Sequence, residues 1–227
     1  MKNYIRLLCA GLLLASAAFA ASAFEGTVNF KITAASEKPM DLNYSIKGDK
    51  LRMDMTGQKG AGVMIADMKK KEMMMLMPQE KMYMTMAIPD AVETAKQKAD
   101  DSTLEKTSET EKILGYTATK YISTDKKKNT STDLWLAEGV GSFMAMSNDG
   151  GRGSKSAGRN WEKLLAGKDL FPLRVVEKNK AGKETYRMDV TAIDKKSLPD
   201  SLFAAPDGYQ KFDMGGMMKG MIPGFGR

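Results

Sequence analysis

Twenty methionines and no histidine set the chemistry open to this chain of 227 residues. Its one cysteine, Cys9, lies in a segment read below as a cleaved leader, so the working protein has neither imidazole nor thiol. That excludes His-based triads, Cys nucleophiles, disulfides, His or Cys zinc sites, and His or Cys ligation of haem and iron–sulfur clusters. Asp54, Asp133 and Asp189 occupy outward positions of apparent strands, where solvation is expected rather than acid–base work. Gly150-Gly151-Arg152-Gly153-Ser154 is glycine-rich but lacks the strand–loop–helix context and Gly-Lys-Ser/Thr ending of a phosphate loop. No nucleophile–base arrangement announces itself, so neither catalysis nor a cofactor is expected.

The thioethers remain, and they have two uses. Met73, Met75 and Met77 share one face of a short strand, and Met82, Met84 and Met86 share one face of the next. Methionine is flexible and polarizable and suits surfaces that accept varied apolar partners, whereas a rigid core would favour Val, Ile and Leu. An apolar hollow lined by these six residues would bind a hydrophobic molecule or lipid, at about 0.8 kcal/mol per buried methylene. Ordinary core packing is the plainer use of the same residues. Alternatively, thioethers are soft donors for Cu(I). Met214, Met217, Met218 and Met221 give M-x-x-M spacing twice near the C-terminus, so a copper site belongs there if anywhere.

Lysines supply a third candidate. In a meander, alternate turns fall at one end of the sheet, which brings Lys47 and Lys50 together with Lys69, Lys70 and Lys71. Such a rim could meet an anionic membrane surface or an acidic envelope protein. Lysines also simply solvate hairpin turns. Nucleic acid is not an expected partner, since few aromatics lie between the basic clusters.

The elements that must position these residues are mostly strands. Val28, Phe30 and Ile32 alternate with polar residues, as do Met40, Leu42, Tyr44 and Ile46, and then Leu51, Met53 and Met55. Lys47-Gly48-Asp49-Lys50 is a hairpin signal. Turns at 57–62, 67–72 and 78–81 separate three further runs, Val63–Ala66, Met73–Met77 and Met82–Met86, so six short strands form a meander. The Met73–Met77 run is apolar on both faces, and its second face must be covered. Residues 90–112 hold seven acidic residues and four lysines with few large apolar side chains. That composition fits a short exposed helix to about Lys98, or a mobile connector. Strands resume at Tyr116–Thr124 and Thr132–Ala137. A loop with six glycines spans 139–158, a short helix carries Trp161, Leu164 and Leu165, and two strands follow at Leu173–Lys178 and Glu184–Ile193.

Both ends read differently. Lys2 and Arg6 precede an apolar run from Leu7 to Phe19, and A-x-A sites follow at 18–20 and 21–23, the pattern of a secretory signal peptide. Cleavage after Ala23 leaves Phe24 first and lowers the net charge from +7 to +5 by removing two cations. The run is shorter than the roughly 20 residues of a membrane span. The expected organisation is a signal peptide at 1–23, one β domain at 24–212, and a Gly/Met-rich disordered tail at 213–227. The location is then periplasmic or secreted.

Several turns and motifs resemble a known family. Phe24-Glu25-Gly26, Gly48-Asp49-Lys50-Leu51-Arg52-Met53-Asp54, Met75-Leu76-Met77-Pro78, Leu170-Phe171-Pro172-Leu173 and the closing run from Leu198 to Tyr209 are similar to exported bacterial proteins of a domain-of-unknown-function family. That family is related in fold to the periplasmic lipoprotein carriers LolA and LolB. The resemblance implies a mainly β (α+β) fold. Its curved antiparallel sheet would form a half-open barrel, with one or two short helices plugging an apolar concave face that in those carriers takes up acyl chains. The reading is therefore a non-enzymatic exported protein that binds a hydrophobic ligand. A Met-based copper protein and a structural or accessory envelope component are the alternatives.

Overall fold

The computed structural model describes residues 24–35, 38–57, 60–88, 102–126, 130–141, 143, 159–165 and 168–212. Six strands follow one another as the alternation requires: β1 (Glu25–Ala34), β2 (Met40–Lys47), β3 (Lys50–Gly57), β4 (Gly60–Asp67), β5 (Glu72–Met77) and β6 (Met82–Ala87). A second antiparallel run comprises β7 (Ser102–Ile113), β8 (Tyr116–Asp125), β9 (Thr130–Ala137), β10 (Phe171–Lys178) and β11 (Glu184–Lys195). A helix, α1 (Asn160–Leu165), interrupts it between β9 and β10. The two runs join where β1 pairs with β11, and a two-residue strand β12 (Gln210–Lys211) adds in parallel to β6. The result is one sheet of twelve strands in the order β12-β6-β5-β4-β3-β2-β1-β11-β10-β9-β8-β7.

That sheet curls. Six strand spacings separate β2 from β7, about 29 Å if the sheet were flat. A six-residue helix is only about 9 Å long. Yet α1 touches β7 and, through Phe143 stacked between Trp161 and Tyr44, also reaches β2. Only a sheet wrapped around the helix allows both contacts. The concave face holds the core, with Val28, Phe30, Leu42, Tyr44, Ile46, Leu51, Met53, Phe171, Leu173 and Val175 buried beneath Trp161 and Leu165. The ends stay apart, and β7 and β12 are the two edges, so the barrel is open rather than closed. Where β1 meets β11, Gly26 passes so close that an added Cβ would lie 2.2 Å from the Asp194 carbonyl oxygen. No larger residue fits that approach.

One expectation is corrected. Residues 102–112, whose charge suggested a helix or mobile connector, belong to the twelve-residue strand β7. An edge strand faces solvent, so it carries Glu105, Lys106, Glu111 and Lys112 without the apolar alternation that marks an inner strand. Its hairpin to β8 turns on Leu114 (φ 49°) and Gly115 (φ 86°), a geometry usually signalled by Asn-Gly rather than Leu-Gly. The proposed helix near 90–98, most of the 139–158 loop, and the leader and tail lie outside the described residues.

The chain after β11 has no strand alternation of its own. Residues 196–212 form a strap across the convex face of β1–β6, with a 3-10 turn at Asp200–Phe203. Phe203, Ala205 and Tyr209 pack on Val63, Ile65 and Leu76, beside Met74 and Tyr83. This is the cover that the doubly apolar β5 required.

Candidate binding face

Strand register decides which methionines meet. Across β5 and β6, Met73 faces Met86, Met75 faces Met84, and Met77 faces Met82. All six therefore share one side of the sheet, because directly opposed residues point the same way. On β4, Met64 opposes Met75 and Ala66 opposes Met73, and both belong to the concave core. The side is thus the concave one. Met53 opposes Met64, and Tyr44 opposes Met53. One cross-strand row runs Tyr44, Met53, Met64, Met75, Met84.

Burial falls along that row. Tyr44 is 0% exposed, Met53 1% and Met64 8%, while Met75 and Met84 are half-buried. The other four of the six are half-buried too, and of the six it is Met73 that packs on the core. Beside the row, Gly62 lacks the Cβ that would stand 3.3 Å from Met55 Cε, so this thioether methyl lies over bare backbone. The face is apolar, most buried at the aromatic end and least toward β6.

At the buried end, Tyr44 stacks on Phe143 at 5.9 Å, and Phe143 stacks on Trp161 at 5.8 Å. Phe30 and Phe171 close the cluster edge-on to Tyr44. Polar groups border it. The Arg159 guanidinium lies 3.4 Å above the Tyr186 ring, and its Nε is 3.7 Å from a Glu177 carboxylate oxygen. Burial pushes the Tyr186 phenol up to about 12, with Arg159 opposing and Glu162 and Glu177 assisting. Burial also raises Tyr44 well above the usual tyrosine range, assisted by Glu162. Sequence patterning does not single out Phe143, Arg159 or Tyr186. Phe143 lies within a glycine-rich stretch, and the other two meet only when α1 folds over the sheet.

The lysines fare differently. The Met68 amide donates to the Asp49 carbonyl at 2.9 Å, so the β2–β3 and β4–β5 turns do lie together. Two of the five lysines are occupied by the strap. Lys47 Nζ donates to the Leu198 carbonyl at 2.7 Å and stands 3.3 Å from Asp200 and 3.6 Å from Glu25. Lys50 lies 3.4 Å from Asp200. Lys70 is 3.8 Å from Asp67, and Lys69 and Lys71 are exposed. Met214, Met217, Met218 and Met221 lie outside the described residues.

The carboxylates expected to be solvated are ion-paired instead. Asp54 accepts from Arg52, Asp189 from Arg174 and Arg187, and the buried Asp133 lies 2.8 Å from Lys178. Their partners are cations on the convex face, not one another.

The domain of unknown function DUF4412 matches residues 24–209. No curated protein matches the chain. Among solved structures, an uncharacterized conserved protein from Thermus thermophilus is similar at 11% identity and a TM-score of 0.49, over 83% of this chain and 90% of that one. MucB of Pseudomonas aeruginosa, solved with MucA, is similar at 13% identity and 0.46, over 81% of this chain and 56% of that one. A LolA superfamily protein from Nitrosomonas europaea is similar at 13% identity and 0.33, over 82% and 91%.

Proposed function

The chain belongs to the DUF4412 family, a domain of unknown function, and we propose that it is an exported, non-enzymatic binding protein that holds a hydrophobic ligand, a lipid or acyl chain, on its concave face. One observation carries the reading: six methionines from β5 and β6 meet in direct register on that face, half-buried, in line with the buried Tyr44–Met53–Met64 row. Thioether side chains adapt to an irregular apolar guest, and each buried methylene contributes about 0.8 kcal/mol. The ion-paired carboxylates leave no free acid–base couple among Asp54, Asp133 and Asp189. The leader at 1–23 would deliver the protein to the periplasm, and N-terminal sequencing of the mature form, expected to begin at Phe24, tests that step.

The central test is native mass spectrometry of protein purified from its own cell envelope, with stepwise activation. A releasable adduct of lipid mass is the expected result. Copper adducts lost on Met→Leu exchange in 214–221 would replace the reading with the metal one, and a bare protein bound to a stable protein partner would favour an accessory role. Met75→Asp or Met84→Asp should weaken binding of a fluorescent fatty acid at least about tenfold. A carboxylate placed on this face must be desolvated when the ligand covers it, at a cost above the roughly 1.4 kcal/mol that makes one decade. Unchanged affinity in a folded variant rejects the methionine face as the binding site.

A further inference from the structure

Every concave-facing position in the β5–β6 ladder is a methionine: Met73, Met75 and Met77 oppose Met86, Met84 and Met82. The convex side of the same ladder is mixed, with Glu72, Met74 and Leu76 opposing Ala87, Thr85 and Tyr83. Inside the ladder both sides are half-buried, Leu76 alone being fully buried. A need for apolar surface alone would be met on either side by Leu, Ile or Val, whose rotamers are better defined. What sets the concave side apart is sulfur.

The register also brings these sulfurs within reach of one another. The pair Met75–Met84 and its neighbour Met77–Met82 place four Cβ atoms at the corners of a rectangle of about 5 by 7 Å. Each sulfur lies two rotatable bonds beyond its Cβ, so all four can lean toward one point above the sheet. Met73 is committed to the core, but these four belong to neither buried cluster. The concave positions of both strands offer no side-chain oxygen or nitrogen, which leaves nothing for a hard cation such as Ca²⁺ to bind. On the flanks, Met64 opposes Met75 from β4, and the neutral Gln210 pairs with Met82 from β12, while Lys211 pairs with Tyr83 on the convex side. Thioethers are soft ligands that select Cu(I). We infer that Met75, Met77, Met82 and Met84 bind a soft monovalent cation, Cu(I), through their sulfurs. The site stands apart from the hydrophobic-ligand reading, because it needs sulfur where that reading needs only apolar surface.

Leucine makes the test direct, because it keeps the apolar volume and removes the donor. The protein is labelled with 13C at the methionine methyls and titrated with Ag(I), a redox-inert stand-in for Cu(I). Met214, Met217, Met218 and Met221 are first exchanged for Leu, so that the C-terminal thioethers do not compete. The methyl resonances of Met75, Met77, Met82 and Met84, assigned by single Met→Leu exchanges, should shift together and saturate at about one equivalent. Those of the buried Met53 and Met64 should stay in place. Cu(I) affinity, measured anaerobically by competition with bicinchoninate, should fall at least about tenfold in Met75→Leu combined with Met84→Leu. Met84→Cys, which supplies another sulfur, should hold or tighten it. Resonances of the four methyls that do not move at saturating Ag(I) overturn the inference, as does Cu(I) affinity unchanged in the double Leu variant. The methyl shifts are read with the four sulfurs in place, so they decide the matter even where the double variant fails to fold.

Discussion

Tyr186 shows how far a single residue's chemistry depends on what the fold places around it. In sequence it is one of seven tyrosines, at an apolar position of an alternating strand. In the fold it lies under Arg159 with Glu177 alongside, and its phenol is pushed up to about 12 from 10, chiefly by burial. A folded value above the unfolded one means that the contribution to stability is complete below about pH 10. It is lost as the pH rises from about 10 toward 12, because the unfolded chain gives up the proton first. Two units correspond to about 3 kcal/mol as an order of magnitude. Urea titrations should therefore show a flat stability up to about pH 10 and a steep fall above it. Tyr186→Phe should make that fall shallower, and the raised Tyr44 should keep it from vanishing. An unchanged alkaline slope in the variant would show that Tyr186 is not the group responsible. The same scale separates legible from illegible residues. Met75 and Met84 can be read as facing one side of their strands, but that they oppose each other depends on the β5–β6 register.

The strap is the element that alternation alone does not reveal. Residues 196–212 contain no strand pattern, yet they cover Val63, Ile65 and Leu76 and add β12 to the exposed side of β6. Its latch is built from charges. Glu25 accepts from the Leu198 amide at 2.6 Å and from Ser197, Lys47 bridges Glu25 and Asp200, and Arg52 donates to the Leu202 carbonyl at 3.0 Å. The Leu198 amide bond foremost holds Glu25 below 4.5, and the Lys47 hydrogen bond foremost holds Asp200 below 3.8. Lowered folded values mean that the latch is intact above the unfolded values and weakens as the pH falls through the folded ones. Hydrogen exchange, corrected for intrinsic rate, should show protection of 197–212 dropping below about pH 4 while β1 and β2 keep theirs. Equal loss in strap and core would mean that the latch carries no separate weight. The strap also shows what composition could and could not supply: β5 plainly needed a second cover, but the covering segment lies more than 120 residues away in the chain, and no local signal links the two.

At the scale of the whole molecule, the open sheet presents edges that must be protected. β12 shields β6 at one end, while β7 ends the sheet at the other with Glu105, Lys106, Glu111 and Lys112 along it. Charged edges resist pairing with a second copy. Glu105→Val combined with Lys112→Val should promote concentration-dependent association, visible as a shift to larger species in size-exclusion chromatography that the wild type does not show at the same concentration. The same charges hid β7 from sequence reading. A strand that faces water on its edge carries too few apolar residues to betray its period.

Residue types and period by themselves determined a mainly β chain of short antiparallel strands and chemistry without imidazole. Those properties follow from composition and from contacts between near neighbours, which a linear reading can follow. Tertiary structure decided the rest: that β1 closes on β11, that the methionine faces of β5 and β6 are one face continuous with Tyr44, that α1 brings Trp161 over it, and that Lys47 and Lys50 serve the strap. Each of these joins residues far apart in the chain. Register and curvature are set by the summed packing of many side chains, and no single stretch of sequence carries that sum.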